Sequence, residues 1–408
     1  MQKHLENFTK IAFISLATLP LLKVNFNSML IILCALLTIY FLVKTKKKIF
    51  FPLKYLLLIL PFLMYFCYEI ISGSFNVSRI LIQLPFLIFP LLFIFKPDFI
   101  NYKIKELSFF VFQCSVVFQS IIYLFIFLKS NSLVTLFNIS PENIPFFRQY
   151  VMSNYFFEIH PTYFSAFLLV SITLSFFNFK KFMIFNFLNI IISIFFLFLF
   201  SSRVIILLLF FTIISFILYI LINEKGKIKY VFVFGSLLIL TFFLIFGSEI
   251  IKKRLNETIT EINKPVEGNY HNSTNVRMAI YKCDYLLIKN IPFFGFGNNI
   301  QNELNRCYKE NNNSNFYKIS TYNSHNYYFN LILYGGWFFL VLFLFYLCTL
   351  FKHLRYSALG IFIFIQFLSI NITENYLSRH YGIVLFCYFT SLFIFFKKEK
   401  FNAATKYI

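Results

Sequence analysis

The residues of this sequence that can do chemistry gather in one region. Arg203 sits in Ser201-Ser202-Arg203, inside an otherwise apolar stretch from 182 to 222. A hydrocarbon span needs about 20 apolar residues, so the stretch holds two spans with almost no loop between them. The Ser pair can cap the second helix. Arg203 then lies in its first turn, where outward backbone N–H groups favour an anion. The same Arg can equally act as a topological stop that holds the hairpin tip at the interface. His325, in Ser324-His325-Asn326, precedes Tyr327-Tyr328 and another apolar helix. A neutral imidazole there can serve as a general base near neutral pH, or simply as a surface capping group. Arg277 shares a helical face with Tyr281 and Asp284, opposite an apolar stripe of Val276, Ile280, Cys283 and Leu287. A guanidinium there can grip an anion, or the whole face can be solvated. His160 opens a span in Glu158-Ile159-His160-Pro161, and Glu374, Arg379 and His380 lie in or at the end of the loop 374–380. All fall on one predicted side of the membrane.

Other chemistries find less support. Gly295-Phe296-Gly297 lacks the third Gly and following helix of a nucleotide-binding fingerprint, and reads as a tight turn. The outer histidines have no zinc-like spacing and no accompanying acidic cluster, so neither a metal nor a cofactor is expected. No Gly-x-Ser-x-Gly occurs to present a serine nucleophile.

The elements that must position these groups follow from composition. The chain has 408 residues, of which 59% are hydrophobic, 22% aromatic and 13% charged. Soluble domains carry about 25% charged residues. This much apolar bulk excludes a soluble enzyme, a secreted domain and a disordered chain. The apolar runs are continuous instead of alternating, which argues against a β-barrel. The expected fold is an all-α polytopic integral membrane protein with about 12 transmembrane helices. The spans are read at 8–22, 26–43, 50–71, 77–95, 107–128, 161–179, 182–200, 203–222, 230–248, 326–351, 357–373 and 381–396. The first ends poorly, at Pro20 and Lys23, but a second span follows and no small-residue cleavage site does, so it reads as a retained anchor.

The net charge is +21. Lysines crowd one set of connections: Lys44, Lys46, Lys47 and Lys48; Lys180 and Lys181; Lys225, Lys227 and Lys229; and the tail with Lys397, Lys398 and Lys400. The opposite short loops hold scattered cations such as Lys23, Arg79, Lys129 and Arg148. The positive-inside rule places both termini in the cytoplasm. The charge then reports topology, and no nucleic-acid partner is expected. The chain divides into helices over 1–248 (with an outer loop at 129–160), a large extracytoplasmic loop at 249–325, and closing helices with a cytoplasmic tail at 326–408. Loops this long are usually functional. Within the large loop, residues 276–287 read as a helix, and the Asn- and Ser-rich run 311–323 as mobile. Cys283 and Cys307 share that loop and can pair in an oxidising compartment.

In order and spacing, Ser202-Arg203, Arg277, Pro292-Phe293-Phe294-Gly295-Phe296-Gly297, His325-Asn326-Tyr327-Tyr328-Phe329-Asn330-Leu331 and Gly335-Gly336-Trp337 resemble the O-antigen ligase and polymerase family of bacterial envelope glycosyltransferases. The resemblance covers about residues 200–340; the N-terminal half matches in hydropathy and span count alone. It implies a class C glycosyltransferase-like fold in the bacterial inner membrane, with a metal-independent active site on the periplasmic face. It implies a glycan donor on undecaprenyl pyrophosphate and a lipid A–core or other glycan acceptor. His325 would be the general base, with Arg203 and Arg277 gripping the pyrophosphate. Ser202, Asn326, Arg379, His380 and His160 are flanking candidates. Physical chemistry agrees: a departing pyrophosphate gains charge and needs fixed cations where that charge develops. One candidate base without paired carboxylates points to direct inverting displacement. The motifs leave three acceptor classes open: a ligase acting on lipid A–core, a polymerase extending lipid-linked chains, and a protein-glycosylating branch. Outside the family, a lipid-linked glycan flippase suits the span count, but the sequence shows no repeat symmetry and few midplane charges. A structural scaffold remains the third class.

Overall fold

The computed structural model describes residues 2–46, 52–73, 75–139, 145–154, 159–223, 228–247, 252, 256 and 258–396. The tail 397–408 lies outside them, as do Lys47, Lys48, Glu158, Lys225 and Lys227. The protein is an all-α polytopic membrane protein. Seven helices among the described residues are long and apolar enough to cross a membrane: Val24–Lys44, Lys54–Ile71, Val77–Ile94, Tyr102–Ser130, Met183–Phe200, Arg203–Asn223 and Tyr327–Leu354. Four shorter apolar helices join them, at Pro161–Phe177, Tyr230–Phe243, Ala358–Thr373 and His380–Phe395.

Prolines divide three of the expected spans. The first is an α-helix over Gln2–Ser15 that tightens into a 3₁₀ turn at Leu16–Leu21, around Pro20. The segment expected at 50–71 enters through a 3₁₀ stretch at Leu53–Ile59 and becomes α-helical at Leu60–Ile71, with Pro61 in its first turn. The span at 77–95 is interrupted at Leu84, before Pro85. Proline lacks an N–H and its ring clashes with the preceding turn, so each interruption is local chemistry.

The helix Pro161–Phe177 is the structural axis, buried along nearly its whole length. A helix buried all round gets little orientation from apolar packing, and here polar side chains supply it. Gln113 donates to Ser175 at 2.7 Å, Asn189 donates to Ser175 at 2.6 Å, and Gln366 donates to Thr173 at 2.7 Å and Thr212 at 3.1 Å. These bonds join three neighbouring helices to the axis and, through Gln366, a fourth. Phenylalanines fill the remaining space; Phe176, for example, packs on Phe216 and Phe234 at 5.1 and 5.0 Å between ring centroids.

The stretch expected as one straight span at 326–351 is two limbs. Gly335 and Gly336 leave helical geometry, Gly336 with φ +72°. The Tyr327 ring lies 5.2 Å from that of Phe343. In a straight helix residues that far apart in sequence would be separated by about 24 Å. The limb before the glycines therefore folds back beside the limb after them. The turn 292–297 fills the break: Phe296 N–H donates to the Leu333 carbonyl at 2.8 Å. Irregular backbone at this depth is tolerated where protein satisfies it. A side chain on Gly336 would strike the Phe293 carbonyl, and one on Gly295 the Tyr334 carbonyl, which explains glycine at both.

In the large loop the helices Asn275–Lys289 and Ile300–Asn311 are joined by a Cys283–Cys307 disulfide. The run 311–323, expected to be mobile, is tethered. Gly268 N–H donates to the Asn313 carbonyl at 2.7 Å, Ser314 donates to the Gly268 carbonyl, and Phe316 is fully buried.

Candidate active site

A polar cleft opens where five chain segments meet. Arg148, Thr162, Ser202, Arg203, Arg277 and Glu374 are among the residues lining it. The hairpin tip supplies Arg203. Ser201 ends the helix Met183–Phe200 in a left-handed conformation, its N–H bonded to the Leu197 carbonyl at 2.9 Å. Ser201 thus closes the first helix instead of capping the second. Ser202 is buried at the head of the second helix, its carbonyl accepting from Ile206 N–H at 2.9 Å. The Arg203 guanidinium reaches across to the large loop and donates to Thr258, to Thr274 at 2.9 Å and to Ser273 at 3.4 Å.

Arg277 comes from the first loop helix. The face it shares with Tyr281 and Asp284 is not solvated: Asp284 is fully buried, and Arg277 pairs with Glu374. The Glu374 carboxylate also lies 3.4 Å from His325 Nδ1. One oxygen holds the cation and the other faces the imidazole. Burial works against the charged form of Glu374, but the His325 hydrogen bond and the Arg277 charge outweigh it, and the carboxyl stays below the usual carboxylate range. Glu374 was legible in the sequence only as an outer polar group. Its pairing spans 97 residues to Arg277 and 49 to His325, and no local pattern reports such closure.

His325 has φ +47°, a left-handed conformation that is unusual for a residue with a side chain. Its N–H donates to Asn323 Oδ1 at 3.1 Å, and Ser324 Oγ donates to the Asn326 carbonyl at 2.7 Å. Asn326 is a helix cap, accepting from Tyr328 and Phe329 N–H at 2.9 and 3.1 Å. The first N–H groups of that limb are therefore occupied by Asn326.

His160 caps the axial helix, Nδ1 accepting from Thr162 N–H at 3.3 Å. Burial, then the nearby charges of Arg148, Arg277 and His325, push its pKa down to about 4, so the imidazole is neutral. Arg379 is exposed at the margin, its charge near Tyr163, whose ring stacks on Tyr376 at 5.0 Å. His380 begins the last helix, against Tyr381, with Nε2 buried and without a hydrogen-bond partner among the described residues. It is not among the residues lining the cleft. Arg148 was counted in the sequence only toward charge topology; the structure puts it in the cleft wall. Its isolated charge in Phe146-Phe147-Arg148 was the available signal.

Helices spanning a membrane, with a cationic cleft and a carboxylate–imidazole pair at one end, define a polytopic protein equipped for anion binding and proton transfer. Residues 188–344 match the family model of the O-antigen ligases, and the match supports an assignment to that family. The match covers the hairpin, the large loop and the start of the bent helix. No curated protein matches the chain. The family supports a ligase- or polymerase-type glycosyltransferase of polysaccharide assembly, with lipid-linked glycan and acceptor substrates in a membrane.

Proposed function

We propose that the protein transfers a glycan from undecaprenyl pyrophosphate to an acceptor hydroxyl on lipid A–core, at the outer face of the bacterial inner membrane. The observation that carries the reading is Glu374 bridging Arg277 and His325 in a cleft that also holds Arg203. The acceptor hydroxyl attacks the anomeric carbon as the bond from that carbon to the pyrophosphate oxygen breaks. His325 takes the hydroxyl proton on Nε2, and Glu374 accepts from Nδ1–H and stabilises the imidazolium that forms. Arg203 and Arg277 meet the charge gained by the leaving pyrophosphate. A single base opposite the leaving group gives inversion. These residues supply proton transfer and charge neutralisation without calling on a metal ion.

The test is a reconstituted assay with purified protein, an undecaprenyl-pyrophosphate glycan and EDTA, with and without lipid A–core. A new band that requires lipid A–core is expected, and His325→Ala should abolish it. A ladder of lengthening lipid-linked chains without lipid A–core would replace the ligase reading with a polymerase. Wild-type yield from His325→Ala would overturn the base assignment.

A further inference from the structure

Two imidazoles stand within electrostatic range of Glu374, and the structure gives them opposite tautomers. The carboxylate is ionised and can only accept. His325 Nδ1, 3.4 Å away, therefore carries the hydrogen and leaves a lone pair on Nε2. His160 is the reverse. A backbone N–H can only donate, so its Nδ1, which accepts from Thr162 N–H at 3.3 Å, holds a lone pair. His160 caps the first turn of the axial helix, where the positive end of the helix dipole disfavours a cation. The imidazole is neutral, and its one hydrogen sits on Nε2. His160 cannot take a proton on Nδ1 without giving up the cap. What it has to offer is a donor, and among the described residues no hydrogen bond uses it.

The donor stands beside the chemistry. Thr162, which His160 caps, lines the cleft, and the charges of Glu374, Arg277 and His325 act on the His160 ring. Protein crowds the ring closely enough to lower its pKa, yet the residue is exposed. Both hold for a side chain in the wall of an open concavity. A neutral donor suits a neutral oxygen; an anion would favour a charged partner. In the reaction assigned above, the donor substrate is held through its pyrophosphate. The acceptor offers a sugar hydroxyl without charge, and neutral hydrogen bonds must line it up with the base.

We propose that His160 is an acceptor-binding residue, donating from Nε2 to a sugar hydroxyl of the acceptor next to the one that reacts. The proposal rests on the acceptor assigned above. The opposing role is a helix cap and nothing more.

The experiment is the reconstituted transfer assay on the full protein, with lipid A–core and the undecaprenyl-pyrophosphate glycan varied in turn and thermal unfolding recorded. His160→Asn separates the two roles. Asn is a favoured helix cap, so the bond from Thr162 N–H survives, while the shorter side chain leaves nothing at the place of Nε2. KM for lipid A–core should rise about three- to tenfold, the range of one neutral hydrogen bond. KM for the glycan donor should stay within about twofold, the unfolding midpoint should not move, and the low-pH limb of the rate, set by His325, should persist. An unchanged KM for lipid A–core would leave His160 a cap and overturn the proposal alone. A rise confined to the glycan donor, or loss of the low-pH limb, would overturn it as well. A wild-type protein inactive with lipid A–core would overturn the acceptor assignment and this inference with it. If His160→Asn does not fold, acceptors lacking one hydroxyl each are tested on the wild type. One of them should show the same rise in KM, and equal KM values throughout would overturn the proposal.

Discussion

His325 is held at φ +47° by bonds through Asn323, Ser324 and Asn326. A left-handed conformation costs a residue with a Cβ roughly 1–2 kcal/mol. Strain of this kind persists where the surroundings over-determine it, and it often marks a functional position. The chain before the bent helix must turn sharply to bring the imidazole to Glu374, and a residue chosen for its backbone alone would be glycine. That separates the two demands on position 325. His325→Gly should lose transfer completely yet unfold at the same temperature as wild type or a few degrees higher. Thermal unfolding and the transfer assay, run on the same preparation, check this. A destabilised His325→Gly would show the imidazole holding the fold together instead of being held by it. At this scale the sequence carried the identities of His325, Arg203 and Arg277, because each interrupts apolar or helical surroundings. It could not carry Glu374 as the common partner of Arg277 and His325, nor Arg148 as a neighbour in the cleft, because those contacts exist only after distant helices pack.

Elements position these groups, and hydropathy reads elements by length, not direction. It found the hairpin at Ser201-Ser202-Arg203 because a single polar interruption divides a run of double length. It read 326–351 as straight because Gly335-Gly336-Trp337 leaves apolar content unchanged, although the backbone reverses there. The loop helix Asn275–Lys289 was legible from its apolar stripe, but its other face was not. Asp284 on that face is fully buried, its carboxylate oxygens are without hydrogen-bond partners among the described residues, and burial raises its pKa well above 3.8. The fold therefore prefers the neutral acid. Its favourable contribution is complete below the unfolded value of 3.8 and is lost as pH climbs toward the raised folded value. A buried polar group left unpaired costs on the order of 1–3 kcal/mol, and more when charged. Asp284→Leu should raise the unfolding midpoint at pH 7.5, and by clearly more than at pH 4. Equal gains at both pH values would mean that the carboxyl does not titrate against burial.

For the molecule as a whole, function turns on which face of the membrane carries the cleft. The lysine-rich connections and the cleft-bearing loops belong to opposite ends of the helices, and the positive-inside rule puts the lysines in the cytoplasm. The disulfide gives a second, independent argument. Cys283 and Cys307 are 24 residues apart and join the helix that carries Arg277 to its neighbour. In the chain-entropy account, closing a loop of that size stabilises by about 3 kcal/mol. That gain exists only where the compartment keeps the bond oxidised, which the cytoplasm does not. Topology, stability of the loop and access to a lipid-linked donor are thus one question. A variant retaining only Cys283 and Cys307, expressed in cells, should resist a membrane-impermeant maleimide until a membrane-impermeant reductant is added. Both residues should then label without lysis. Labelling that requires lysis would place the loop inside, and the cleft could then meet only donors presented on the cytoplasmic leaflet.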